Sequence, residues 1–251
     1  LESNSVLSAA DGAAANDLLI SSVISGHETA TLVFAGAGRT VLTGANTYTG
    51  ATRITAGTVQ VGNSGLSGTL GQGAVSNDSA LVLNRDDELV LAGAISGLGG
   101  LTQVGTGTVV LAGPNTYQGD TLVSSGRLFV SGALLATGEV HLAAGVTLGG
   151  TGSVGFVIAT NRAVLQAGGT NGLGQLTAST LSLGVDAAST SRVNVTVGNA
   201  TGRVTVTQLN GLTPIGQVPL YISGAGVVPG VYDLIQYAGA IGGDGFGAFV
   251  T

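Results

Sequence analysis

The chain has 251 residues, a formal net charge of −6, 8% charged residues and 45 glycines, where ordinary proteins carry roughly 25% charge and roughly 7% glycine. Lysine is absent and the seven arginines (Arg39, Arg53, Arg85, Arg127, Arg162, Arg192 and Arg203) are scattered, so there is no basic patch for a phosphate backbone and no nucleic-acid partner is expected. No run of 18 apolar residues occurs, tryptophan is absent and aromatics are 4%, which argues against a spanning helix, a transmembrane barrel with aromatic girdles, or any direct membrane insertion.

The remaining composition selects the fold class. Gly, Thr, Ser, Asn and Val are poor helix formers, whereas short Val/Leu/Ile/Thr runs bounded by Gly and Asn read as many short strands. Cysteine is absent, which suits a chain that must stay unfolded and uncrosslinked during export. The chain opens without a charged segment followed by an apolar one, as expected of a mature fragment or an excised piece.

In chain order, Ile24-Ser25-Gly26 comes first, then a block at 36–61 that contains Leu42-Thr43-Gly44-Ala45-Asn46-Thr47-Tyr48-Thr49-Gly50 and Gly57. The block recurs at 105–130, where Asn115, Thr116, Tyr117, Gly119 and Gly126 stand 69 residues after Asn46, Thr47, Tyr48, Gly50 and Gly57. Ile95-Ser96-Gly97 repeats the upstream tripeptide at an offset of 71. Within each block the apolar residues alternate (Ile54, then Val59 and Val61; Val123, then Leu128 and Val130), the pattern of strands with one face inward. Such strands are too short to stand alone, and stacking them as coils of a solenoid buries one continuous core. A period of 69 divides into three coils of 23. Residues 133–155, 181–183, 193–197 and 204–207 keep the strand-and-glycine rhythm more loosely.

The last portion differs. Five of the ten aromatics and three of the four prolines fall between Pro214 and Thr251, with Pro229-Gly230 as a turn signal. A solenoid end exposes an unpaired edge and needs cover. The expected organisation is therefore an all-β, parallel β-helix over 1–213, closed by a capping module over 214–251 that uses Tyr221, Pro229, Gly230, Tyr232 and Tyr237.

Candidate chemistry is sparse. His27 and His141 are the only histidines, no Gly-x-Ser-x-Gly elbow occurs, and a serine–lysine dyad is impossible. Asp86-Asp87-Glu88 reads as a solvated turn rather than a calcium loop. Gly242-Gly243-Asp244-Gly245 echoes a calcium-binding repeat only once, and Gly150-Thr151-Gly152-Ser153-Val154-Gly155 lacks the helix a dinucleotide site needs. A β-helix polysaccharide lyase would need clustered acids beside arginine or lysine. No catalytic, cofactor or metal residues are expected. Asn46 and Asn115, with their tyrosines, are the positions most open to a binding role. The structural alternative is an amide ladder between coils, with Gly50 and Gly119 permitting a left-handed turn.

The segments 42–62 and 111–132, with their Leu-x-Gly-x-Asn-Thr-Tyr-x-Gly core, resemble the autotransporter-associated β-strand repeat. Residues 149–155 are similar to the glycine-rich tail that usually comes after that repeat, and 230–237 resemble the end of passenger domains just before the outer-membrane barrel. The resemblance implies a right-handed β-helix passenger of the type V secretion pathway, displayed on the bacterial surface or secreted. Its own C-terminal outer-membrane barrel, outside this chain, would be its partner. It also implies a non-catalytic stalk and folding scaffold with an autochaperone-like C-terminal region. An adhesive or self-associating surface that binds a like rod or host glycans is the alternative, and a lyase is the more remote one.

Overall fold

The computed structural model describes residues 1–196, 202–224 and 231–250. Short parallel strands make up almost all of it, and the helical element is a single 3-10 turn, Gly245–Ala248. The chain winds as a parallel β-solenoid with three walls. The first wall stacks Ser5–Ser8, Leu32–Ala35, Thr52–Ile54, Val75–Asn77 and Ile95–Ser96. The second begins with Leu18–Ile20, Arg39–Leu42, Thr58–Gly65, Ala80–Arg85 and Gly100–Gln103 and grows to 13 strands. The third has eight, from Glu88–Leu91 to Phe249–Val250, marking about eight turns in which the tube is fully walled. From Ala133–Leu142 onward the first and second walls merge, because single strands such as Ser153–Ala159 and Gln175–Leu183 run through the corner between them.

Alternation drives this arrangement. Along Gly100–Gln103 the residues Leu101 and Gln103 point inward while Thr102 lies on the outer face, and Thr108–Leu111 buries Val109 and Leu111 in the same way. Parallel register then stacks like on like: Val59, Leu81 and Leu101 form one inward column of the second wall, and Leu89, Val109, Leu128 and Leu148 one of the third. These columns join into one core cluster from Leu32 to Ala248. Each fully buried Leu or Val is worth about 1.5–3 kcal/mol of transfer free energy, set against the ordering of its coil.

The coil is shorter than the sequence period suggests. Leu32 stacks on Thr52, Thr52 on Val75 and Val75 on Ile95, giving coils of 20, 23 and 20 residues. The division of 69 into three coils of 23 is therefore corrected to three coils plus one wall. Leu32 lies in the first wall but its counterpart Leu101 in the second; Leu42 lies in the second but Leu111 in the third. The two copies of the repeat sit a third of a turn apart. All three walls share the inward–outward alternation and the glycine corner, so a repeat can shift by one wall without burying a wrong side chain.

Candidate functional site

The repeated corner is the most elaborated local structure. In the first copy, Asn46 follows the strand Arg39–Leu42 and turns its amide along the rod axis. Its Oδ1 accepts from the Ile24 N–H of the preceding coil (2.8 Å), and its Nδ2 donates to the Thr69 carbonyl of the next (2.7 Å). Asn115, fully buried, does the same: Oδ1 accepts from Ile95 N–H at 3.0 Å, and Nδ2 donates to the carbonyls of Ala133 (3.1 Å) and Gly113 (2.8 Å). Each asparagine ties three successive coils at a point where the backbone leaves the strand ladder and would otherwise lose partners. Thr47 and Thr116 complete the step through their N–H groups, which donate to Ile24 and Ile95 carbonyls.

Tyr48 and Tyr117 are inside, not on a binding surface: both are fully buried, and each phenol pairs with a threonine four residues on, Thr52 at 2.8 Å and Thr121 at 2.5 Å. Burial raises both phenol pKa values above the ordinary tyrosine value, against the smaller opposing effect of those threonine bonds. The position most open to a binding role is thus filled by core tyrosines, with a satisfied hydroxyl at each ring tip.

The glycines divide differently from the expectation. Gly50 and Gly119 do not carry the left-handed turn; they are glycine because the previous coil presses on them. A Cβ on Gly50 would stand 1.8 Å from the Ala30 carbonyl oxygen, and one on Gly119 2.6 Å from the Gly100 nitrogen. Gly57 (φ 68°) and Gly126 (φ 73°) hold the left-handed conformation, and a Cβ there would also meet the carbonyls of Gly38 and Gly107 at 2.4 and 2.3 Å.

The charged clusters resolve into local bonds. Arg85 grips Asp87 through two hydrogen bonds (2.7 and 2.5 Å), which holds that carboxyl below the usual carboxylate range, and Asp86 accepts from the Thr106 hydroxyl at 2.8 Å. His141 sits on the outer face of the second wall beside Glu139 (3.1 Å). His27 uses its backbone N–H to meet the Leu1 carbonyl. Asp244 accepts from Gly216 N–H at 2.8 Å. Among the described residues, no group of three or more His, Asp or Glu gathers to hold a metal, and no helix is long and apolar enough to cross a membrane.

At the C-terminal end, Val218–Ser223 stacks on Arg192–Thr196, and Ile235–Ala238 on Arg203–Leu209. Tyr232 packs against the core, and Tyr237 meets Phe246 edge-on with ring centroids 6.0 Å apart. These aromatics, with Leu212, Ile235 and Phe249, line a cavity of about 230 Å³. Tyr221 lies outside on the third wall, with the Arg192 guanidinium 5.2 Å from its ring centroid. Pro229 and Gly230 lie outside the described residues. Sequence reading missed Arg162 and Arg192, which share a groove with Tyr221; Arg162 comes from a turn and the other two from strands of different coils, and no local pattern carries the register that brings them together.

Stacked coils, Asn-tied corners and an aliphatic core make this chain a parallel β-solenoid. Residues 32–61 and 101–130 match the passenger-associated-transport repeat, so the chain carries two copies of this autotransporter-associated repeat. It is 37% identical over 132 residues to the adhesin BmaC autotransporter of Brucella suis, covering 44% of this chain and 4% of that protein. It is 43% identical over 82 residues to an extracellular serine protease of Serratia marcescens, covering 33% of this chain and 8% of that one. The chain thus spans less than a tenth of the length of these relatives. No solved structure matches.

Proposed function

We propose that this segment is a non-catalytic structural part of a surface autotransporter, serving as stalk and as folding and secretion scaffold. The observation that carries the reading is the coil-to-coil stacking of the described residues, with Asn46 and Asn115 each bonded to the coil before and the coil after. A segment built this way holds something at a distance and can fold coil upon coil. The partner would be the protein's own outer-membrane barrel, beyond this chain, and the location the cell surface or the medium after export.

In this reading, residues 214–251 form the cap on which earlier coils assemble. The aromatic cluster of Tyr232, Tyr237, Phe246 and Phe249 around the last core positions supports that role. The test is limited proteolysis of the full chain and of 1–213. The shorter chain should be cleaved at least about tenfold faster, since loss of the end coils lowers the barrier to opening. Equal resistance would remove the templating role.

An adhesive role is the second reading, favoured by the likeness of 132 residues to a protein named an adhesin. Displayed on a non-adherent cell, the chain would then promote aggregation or attachment; unchanged settling and attachment would count against it.

A further inference from the structure

The outer face of the third wall carries a feature that a plain stalk does not need. Arg192 and Tyr221 stand side by side in register-related strands, guanidinium over ring at 5.2 Å. Two shallow grooves of about 360 Å³ each meet at this pair. On one side the groove is cationic: Arg162 joins Arg192, with Thr190 and Pro219. On the other side it is neutral and polar, offering Gln166, Asn194, Thr196 and Ser223.

Four observations say that these groups are set out for a ligand. Among the described residues, the only arginine–carboxylate ion pair is Arg85–Asp87, so Arg162 and Arg192 face their groove without a counter-ion in a chain whose net charge is −6. Arg162 is held at φ 64°, a left-handed conformation that costs a non-glycine residue about 1–2 kcal/mol. Asn194 Oδ1 is shielded from water and accepts no hydrogen bond; a turn about χ2 would direct it into the groove, where a hydroxyl would satisfy it. Tyr221, on the outer face of the third wall, remains 55% exposed, with its ring open to the groove. The Tyr221 ring restrains the Arg192 guanidinium that lies over it, and a guanidinium can grip a carboxylate with two parallel bonds.

We propose that this double groove binds an acidic oligosaccharide. A carboxylated sugar would lie against Arg162 and Arg192, and a neutral sugar next to it would use the amides and hydroxyls of Gln166, Asn194, Thr196 and Ser223. Tyr221 supplies the flat face between them. The polarity change at Tyr221 sets the order of the two sugars. The site does not depend on whether the rod is a stalk or a scaffold, because it lies wholly on the outside of the wall.

The test uses the whole chain and a hyaluronan tetrasaccharide, in which glucuronic acid and N-acetylglucosamine alternate, with binding read by calorimetry or saturation-transfer NMR. Binding is expected at or below about 1 mM, and esterifying the carboxylates should weaken it about tenfold. Arg192→Gln and Tyr221→Leu should each weaken it at least about fivefold, while Arg53→Gln, on the outside of the first wall, should leave it unchanged. Arg162→Gly is the most telling variant: it removes a cation yet relieves the left-handed backbone, so binding should fall while the melting temperature holds or rises. Ester and acid binding alike, binding indifferent to Arg162→Gly and Arg192→Gln, or no binding at about 10 mM would each overturn the proposal.

Discussion

The central coils and the C-terminal coils belong to one solenoid but spend their residues differently. Between Leu32 and Ile95 a coil takes 20 to 23 residues, nearly all of them in strands or in glycine-bounded corners. Later, Val154 to Ala178, Ala178 to Val206 and Val206 to Tyr237 take 24, 28 and 31. Among the described residues, part of the added length is the corner that folds back at 168–174, and this corner borders the outer groove of the third wall. A short coil has no free residue with which to make a surface feature; a long one does. Rigidity therefore concentrates in the repeat copies and potential ligand chemistry in the coils beyond them.

The contrast can be broken first at the glycines. Gly126→Ala, in the tight region, meets both a left-handed backbone and the Gly107 carbonyl, and should cost about 3 kcal/mol or more. Gly145→Ala has the same sign of φ but open space around it, so about 1–2 kcal/mol is expected. Denaturant midpoints measure both, and equal losses would mean that coil pressure does not decide the corner.

The asparagine corners come next. Asn115→Ala removes three hydrogen bonds from a fully buried site, and should cost about 2–4 kcal/mol; Asn46→Ala, with two bonds at a slightly open corner, about 1–3. Thermal melts of the two variants would reveal the order.

Alkaline pH acts on the same region. The phenols of Tyr48 and Tyr117 have raised folded pKa values, so their stabilising contribution is complete below the unfolded tyrosine pKa near 10 and is lost as pH rises through the folded value. Stability should fall above about pH 10 by at most roughly 1.4 kcal/mol per unit for each tyrosine. In Tyr48→Phe/Tyr117→Phe that part of the fall should vanish, and a stability curve still as steep would contradict the burial argument.

The smallest effect is a gain. Gln103 occupies an inward column between Leu83 and Val123, with its Oε1 unpartnered, although its Nε2 reaches the Gly107 and Arg127 carbonyls at 3.1 Å. The Gly107 carbonyl also accepts from Arg127 N–H, so it keeps a partner without the amide. Gln103→Leu should stabilise by about 1 kcal/mol, read from the urea midpoint.

Much of the fold could be read from the chain because a solenoid writes its core as local alternation. Val59/Val61 and Leu128/Val130 announce inward strands, and the Asn-Thr-Tyr-x-Gly corner announces itself by recurring. What could not be read was which coil neighbours which. The offset of 69 is a true repeat, but it ends one wall further on, since Leu101 and Leu111 need only an inward position, not a particular wall. The burial of Tyr48 and Tyr117 was hidden for a related reason: a tyrosine next to glycine and threonine in a loop looks exposed unless the hydroxyl's partner, Thr52 or Thr121, is seen to lie inside too. The Arg162–Arg192–Tyr221 groove joins residues about thirty apart in sequence through coils of irregular length, and no local pattern carries that register.

The register itself is open to a direct check, because the chain has no cysteine of its own. Thr102 and Leu122 are neighbours on the outer face of the second wall, and adjacent strands lie about 4.8 Å apart, within the usual Cα separation of a disulfide. Under mild oxidation, Thr102→Cys/Leu122→Cys should crosslink within one molecule, and Thr102→Cys/Ser125→Cys, the pair a 23-residue coil would bring together, should not. Crosslinking of the second pair and not the first would contradict the coil length, and with it the rotation of the two repeat copies by one wall.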